Sequence, residues 1–201
     1  SVTLVAVARE NPRVVFVGVD GLGGYYLPQA KTPHIDSLKE SGTFTYEMQN
    51  VIHPVSSPNW MSMITGSGPS QHGVLDNDWK RGDTAVPKTI FRVIKEQRPH
   101  FLTALFYQWS GLRRLIEPGV FDMEENGKDA EETMQLALDA LHLDPDFTFI
   151  HLDLVDAAGH KHGWGSRKYI EAVEATDKLI GRLIQHLQEL GSYEQTIIML
   201  S

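Results

Sequence analysis

The sequence contains no cysteine, and this absence excludes three kinds of chemistry. Without thiols the chain can form no disulfide, no thiolate-bound zinc site and no cysteine nucleophile. It also contains no run of 18 apolar residues, so the sequence predicts no membrane-spanning helix. Any metal that these residues bind must therefore be held by oxygen and imidazole ligands.

Basic residues are in deficit, with 18 Lys and Arg against 26 Asp and Glu and a formal net charge of -8. Such a surface repels nucleic acid and anionic membranes, which argues against a nucleic-acid scaffold. A small anionic substrate is compatible with this charge because it needs only a local cation. The length and the 41% hydrophobic content suit one well-buried domain, and we expect residues 1–201 to form it.

Apolar runs alternate with amphipathic stretches along the chain. The runs predict strands at Val14–Val19, Phe101–Tyr107, Phe147–Leu152 and Thr196–Leu200. The amphipathic stretches predict helices at Thr32–Ser41, Pro58–Ile64, Lys88–Gln97, Asp129–Leu141 and Ser166–Leu190. This alternation predicts an α/β fold, a mostly parallel sheet with helices on both faces. The stretch 66–87 has no clear periodicity, and long irregular segments of this kind tend to be functional.

Ser56 and Ser57 stand where a helix is predicted to begin. Pro58 is favoured at the first helical position, which would leave the Ser56 oxygen among free backbone N–H groups. The positive end of the helix dipole stabilises a bound phosphate or a developing alkoxide. A helix cap is the commoner role of a serine at such a position, and the local sequence leaves both readings open.

Metal-ligating side chains follow two of the predicted strands. Asp20 comes directly after Val14–Val19, and Asp156 and His160 come shortly after Phe147–Leu152. In an open α/β sheet, ligands bind outside the carboxyl ends of the strands, so these side chains can converge. Asp20 could equally be an ordinary turn residue, and the Asp156 and His160 side chains share one face only if their segment is helical.

Six motifs together resemble the alkaline phosphatase superfamily, and within it the type I phosphodiesterase/nucleotide pyrophosphatase branch. They are VGVDG at Val17–Gly21, TPHIDSL at Thr32–Leu38, VSSPNW at Val55–Trp60, MITG at Met63–Gly66, QHGVLDN at Gln71–Asn77 and DAAGH at Asp156–His160. Each motif alone is weak evidence for this resemblance, but six motifs in the right order and spacing are strong evidence.

The resemblance implies a site with two divalent metal ions, most commonly zinc. Asp20 and the nucleophile Ser56 would bind one metal, and Asp156 and His160 would bind the other. The Asn77 amide would hold a non-bridging oxygen of a small phosphorylated substrate. The resemblance also implies a covalent phosphoseryl intermediate and favours an extracytoplasmic location.

Three positions depart from the pattern of the nucleotide-cleaving relatives. Ser57 stands where they have an aromatic residue that stacks on the base, and Val55 stands where they have a cation. Base stacking is worth about 1–3 kcal/mol, so we expect weak discrimination among nucleobases. Trp60 replaces a common histidine and is either a wall of the substrate site or a core residue.

Alternative functions on the same fold are a phosphomonoesterase, a sulfatase and a catalytically silent binding module. Sulfatases modify a Cys or Ser in a Cys/Ser-x-Pro-x-Arg context, and the stretch from Ser56 to Trp60 lacks the arginine. The presence of Asp20, Ser56, Asn77, Asp156 and His160 together favours an enzyme over a silent module.

The strand Thr196–Leu200 ends where relatives continue into an Asp-His pair, followed much later by another histidine ligand. Two protein ligands for each metal are fewer than the three usual for catalytic zinc. We therefore expect these 201 residues to be the N-terminal portion of a longer enzyme, nearly inactive and largely metal-free by themselves.

Overall fold

The structure, a computed structural model, describes residues 11–82 and 86–201. Residues 1–10 of the expected domain and residues 83–85 of the irregular stretch 66–87 lie outside these ranges. No helix in the described ranges is long and apolar enough to cross a membrane.

A five-stranded parallel sheet runs through the described residues in the order β3-β2-β4-β1-β5. The strands are β1 (Arg13–Val19), β2 (Thr103–Tyr107), β3 (Met123–Asn126), β4 (Phe147–Leu152) and β5 (Thr196–Leu200). The four predicted strands are confirmed. The additional strand, β3, lies at an edge of the sheet, and its polar, largely exposed residues carry no apolar pattern that would predict it.

The helices of the described ranges include all five predicted ones, with no end displaced by more than two residues. They are α1 (Pro33–Ser41), α2 (Ser56–Thr65), α3 (Pro69–His72), α4 (Ile90–Gln97), α5 (Ser110–Arg113), α6 (Ala130–Leu141), α7 (Leu154–His162) and α8 (Arg167–Glu189). Three are additional: α5 follows β2, α3 lies within the irregular stretch, and α7 carries two of the predicted metal ligands.

Both faces of the sheet are covered by helices, as predicted, because the side chains of each strand alternate between two buried cores. Along β1, Val15, Val17 and Val19 contact the core shared with α6 and α8. Phe16 points the other way, into the core shared with α2 and α4. Since β1 and β4 pair in parallel and in register, their carboxyl ends reach the same edge of the sheet.

A buried carboxylate fixes the start of α1 against α8. Asp177, which is 1% exposed, accepts hydrogen bonds from the backbone N–H groups of His34 and Ile35, at 3.1 and 2.8 Å. Burial raises the pKa of Asp177, and the two N–H groups only partly offset this effect. The contact satisfies donors that a helix start leaves without an intrahelical partner, and it holds α1 beside the candidate site.

Candidate active site

The turn after β1 places Asp20 beside the start of α7. The Asp20 N–H donates to the carbonyl of Leu152 at 2.8 Å, which joins the ends of β1 and β4. Gly21 follows with a φ of +75°, and a Cβ at this position would lie 2.6 Å from the Cα of Asp156. The turn can pack this closely against α7 only because Gly21 has no side chain.

Asp156 and His160 lie on one face of α7, four residues apart. The Nε2 atom of His160 is 3.4 Å from an Oδ atom of Asp156. The segment is therefore helical, which was the condition for these two side chains to meet. The Asp156 side chain is half-buried, whereas that of His160 is largely exposed.

Helix α2 begins at Ser56, two residues earlier than the sequence indicates. Pro58 is its third residue, and the prediction that it opens the helix is wrong. A proline fits there because the first N–H groups of a helix have no intrahelical partner. Ser56 is thus the first helical residue, and no side chain caps the helix.

Asn77 reaches the start of α2 from the loop after α3. Its Oδ1 accepts a hydrogen bond from the backbone N–H of Ser57 at 2.8 Å. This bond orients the amide, so that its NδH2 group remains available as a donor. The structure therefore brings Asn77, from the long irregular stretch, to the N-terminus of the helix that carries Ser56.

One cavity of about 1320 Å³ unites the predicted site residues. Its lining includes Asp20, Ser56, Asn77, Asp156 and His160. Four separate segments of the chain contribute to this set, and two of them follow the carboxyl ends of the paired strands β1 and β4. An open α/β sheet binds ligands at this edge, beyond the carboxyl ends of the strands.

Two buried side chains that were not among the predicted site residues hold Asp20. The indole N–H of Trp60 donates to Oδ2 of Asp20 at 2.9 Å, and Nε2 of His151 lies 3.6 Å from the same oxygen. Burial raises the pKa of Asp20, but the His151 imidazole and the hydrogen bonds from Trp60 and Ser56 outweigh it and hold the pKa below its ordinary value. Trp60, at 4% exposure, is thus a core residue that also orients a predicted metal ligand.

His151 is fully buried on β4, and neither ring nitrogen has a hydrogen-bond partner in the described part of the chain. Its ring contacts that of Trp60, with centroids 4.9 Å apart. The sequence could have indicated that His151 belongs to the site, because it is a lone histidine in a strand of mostly apolar residues. A buried strand of this kind normally carries no titratable group.

Negative charge accumulates where β1 and β4 end. Burial raises the pKa of Asp153 to about 6, and Asp20 and Asp156 add to this while His151 opposes it. Burial also raises the pKa of Asp156, again reinforced by Asp20. Carboxylates that resist ionisation because of one another are stabilised by a bound cation.

The predicted metal ligands fit zinc by donor type but form two pairs rather than complete sets. No group of three or more His, Asp or Glu side chains is arranged for one ion among the residues that the structure describes. Carboxylate, hydroxyl and imidazole donors suit a catalytic zinc that keeps an open position. The pairs Asp20 with Ser56 and Asp156 with His160 match such a zinc in donor type only.

The fold and the sequence place this chain in a known class of phosphohydrolases. The family described as type I phosphodiesterase / nucleotide pyrophosphatase matches residues 14–132 and 95–201. Together these matches cover the sheet and the whole candidate site. The chain belongs to this family, and hence to the alkaline phosphatase superfamily.

Individual relatives agree with this assignment. The chain is 29% identical over 206 residues to mouse (Mus musculus) ectonucleotide pyrophosphatase/phosphodiesterase family member 1, covering 90% of this chain and 22% of that protein. It is 23% identical over 214 residues to human (Homo sapiens) bis(5'-adenosyl)-triphosphatase ENPP4, covering 94% of this chain and 46% of that protein. The chain thus spans less than half the length of these curated relatives.

A solved structure shares the fold. Inactive murine ectonucleotide pyrophosphatase/phosphodiesterase 5 in complex with AMP superposes with a TM-score of 0.79 at 20% sequence identity. The match covers 95% of this chain and 56% of that one. The parallel sheet with helices on both faces is therefore the architecture of this relative.

The close approach at Gly21 yields a testable prediction. Gly21→Ala should lower the melting temperature and any metal-dependent turnover, because a left-handed backbone costs a side chain about 1–2 kcal/mol and the added Cβ would displace Asp156. Gly66→Ala is the matched control: its φ is +66°, but its Cβ would meet open space within the described residues. Thermal unfolding and turnover of both variants check this, and equal losses would show that the close approach is unimportant.

Proposed function

We propose that this chain carries the nucleophile and metal-binding side chains of a metal-dependent phosphodiesterase that acts on nucleotide-like phosphodiester or pyrophosphate bonds. One observation carries the proposal: a single cavity holds Ser56, at the first residue of a helix, together with two carboxylates, an imidazole and an oriented amide. The names of the relatives, which include nucleotide pyrophosphatases and a bis(5'-adenosyl)-triphosphatase, support the substrate class.

The geometry at the start of α2 suits an attack by Ser56 on phosphorus. The hydroxyl oxygen of Ser56 bonds to phosphorus and loses its proton, while the leaving oxygen departs with its electron pair and takes up a proton. The product is a phosphoseryl intermediate that still carries the other ester group of the substrate. Water then attacks the same phosphorus, and the Ser56 oxygen is released and regains a proton. Splitting one displacement into two lowers each barrier. Ser56 lies at the N-terminus of α2, where the positive end of the helix dipole favours the negative charge of the phosphate.

Asn77 would bind a non-bridging phosphate oxygen. Its Oδ1 is already engaged by the N–H of Ser57, so the NδH2 group is the part left to donate. The position of this donor is set by the same helix that sets the nucleophile, and a preorganised donor stabilises charge that develops in the transition state.

Two zinc ions would be held by Asp20 with Ser56 and by Asp156 with His160. When bound, such ions lower the pKa of a coordinated hydroxyl and neutralise phosphate charge. Trp60 and His151 would keep the Asp20 carboxylate aimed at the first ion, since both contact the same oxygen of Asp20.

The test is a panel of substrates with metal depletion. The native protein should hydrolyse bis-nitrophenyl phosphate and nucleoside phosphodiesters faster than nitrophenyl phosphate, with little action on nitrophenyl sulfate. Exhaustive chelation should abolish turnover, and added zinc should restore it.

Each alternative function has a distinct outcome in this panel. Faster hydrolysis of the monoester would indicate a phosphomonoesterase, and hydrolysis of the sulfate would indicate a sulfatase. Binding of zinc and of a phosphate ester without turnover of any ester would indicate a silent module. Turnover unaffected by chelation would contradict the proposed metal dependence.

A further inference from the structure

The residue after the nucleophile cannot provide a stacking surface for a substrate. It is Ser57, and it is 1% exposed because helix α2 buries it. A substrate with a planar group, if it is held by stacking, must therefore use an aromatic ring elsewhere in the cavity. The lining includes Phe44, Tyr46 and Trp164 as aromatic residues with well-exposed rings. Tyr193 also lines the cavity, but it is only partly exposed and packs against a hydrophobic core.

Phe44 and Tyr46 are engaged with each other and with a lysine. Their ring centroids are 5.3 Å apart, and the Lys39 ammonium lies 5.5 and 5.3 Å from them. Lys39 is itself held by Asp36, at 2.6 Å, and by the Tyr46 hydroxyl, at 2.7 Å. The Lys39 ammonium already lies over both rings, so these two residues are the weaker candidates for a stacking surface.

Trp164 lies next to a predicted metal ligand and is held in place although it is 46% exposed. Its ring contacts that of His160 at 5.4 Å and that of the buried Tyr169 at 5.7 Å. A Cβ at Gly159 would lie 2.3 Å from the Trp164 ring, so the absence of a side chain there makes room for the indole.

The backbone on both sides of Trp164 has a conformation that favours glycine. Gly163 and Gly165, on either side, have φ values of +90° and +74°, which side chains rarely adopt. The hydroxyl of Tyr169 donates to the carbonyl of Gly21 at 2.7 Å, so the aromatic contact of Trp164 extends to the turn that follows Asp20. An exposed indole fixed by such contacts is a preorganised surface, which loses little freedom when a ligand binds.

We propose that Trp164 is the residue on which a planar aromatic group of the substrate stacks, next to the metal that His160 would bind. The inference rests on the proposed function, because it assumes that the phosphate lies between Ser56 and His160. The group recognised is a nucleobase or an aryl substituent of a phosphate ester. Stacking uses a ring face that every base has, so Trp164 favours nucleotides over sugar phosphates without distinguishing the bases.

The experiment compares AMP with ribose 5-phosphate, which differ only by the base. Calorimetric titration of the native, zinc-loaded protein should show AMP binding about 5- to 150-fold more tightly, as expected for one stacked base. Trp164→Ala should bring this ratio close to one without changing the affinity for ribose 5-phosphate. Trp164→Phe should retain most of it, and replacing AMP by CMP should change the native affinity only slightly.

The matched control is Tyr25→Ala. Tyr25 is 80% exposed and is absent from the cavity lining, so its replacement should leave the affinity ratio at the native value. Equal affinities for AMP and ribose 5-phosphate in the native protein would overturn the proposal, as would an equal weakening of both by Trp164→Ala. Binding is measured without turnover, so a failure of the phosphodiesterase assay remains a separate result.

Discussion

Replacing Ser56 by alanine is expected to reduce phosphodiester turnover by on the order of 10³-fold or more. The alanine removes the only protein atom that would bond to phosphorus, together with one of the two proposed ligands of the first metal. The helix itself should persist, because alanine is a strong helix former and the Ser56 side chain caps nothing. Initial rates with a nitrophenyl diester, together with the melting temperature, measure the two effects separately.

The adjacent serine is the matched control for this variant. Ser57→Ala removes a hydroxyl one residue away and keeps the backbone N–H that donates to Asn77, so turnover should stay close to that of the parent. Acid quenching during turnover of the diester should yield a peptide in which Ser56 carries the phosphoryl group together with its remaining ester group. Full activity of Ser56→Ala, or phosphate found only on Ser57, would eliminate the proposed nucleophile.

Asp156→Ala is expected to reduce turnover by on the order of 10²-fold or more while leaving the fold of the metal-free protein intact. The side chain is only half-buried and belongs to no apolar core. Its neighbours Asp20 and Asp153 are also acidic, so its removal relieves repulsion between carboxylates. We therefore expect an unchanged or slightly higher melting temperature in metal-free buffer, with zinc content reduced after dialysis.

Asp139→Ala serves as the surface control for Asp156→Ala. Asp139 is an exposed acid on α6 and lies outside the cavity lining, so its loss should affect neither zinc content nor turnover. If chelation abolished the folded thermal transition of the parent protein, the metals would be structural. That result would contradict the expectation that Asp156 contributes to catalysis rather than to the stability of the fold.

The sequence predicted the parts of the fold whose side chains repeat with a clear period. Strands β1, β4 and β5 are short apolar runs, and α8 carries apolar residues three or four positions apart, so periodicity identified each of them. It could not identify β3, whose residues are mostly exposed and polar and which pairs with β2 only at the edge of the sheet. Pairing of this kind depends on a neighbouring strand rather than on local pattern.

The candidate site shows the same division. The motifs singled out Asp20, Ser56, Asn77, Asp156 and His160 from the sequence, and the cavity brings these five residues together. Sequence alone determined that the chain belongs among α/β phosphohydrolases, because ordered motifs and strand-helix alternation are properties of the linear chain.

Only the tertiary structure decided how these residues are held. Trp60 contacts Asp20 from 40 positions away, Asn77 is oriented by a backbone N–H 20 positions away, and His151 faces Asp20 from the neighbouring strand. The helix start at Ser56 and the exposed indole of Trp164 were likewise not evident from local pattern. Such contacts join segments distant in sequence, and their geometry depends on how the sheet and helices pack rather than on the residues beside them.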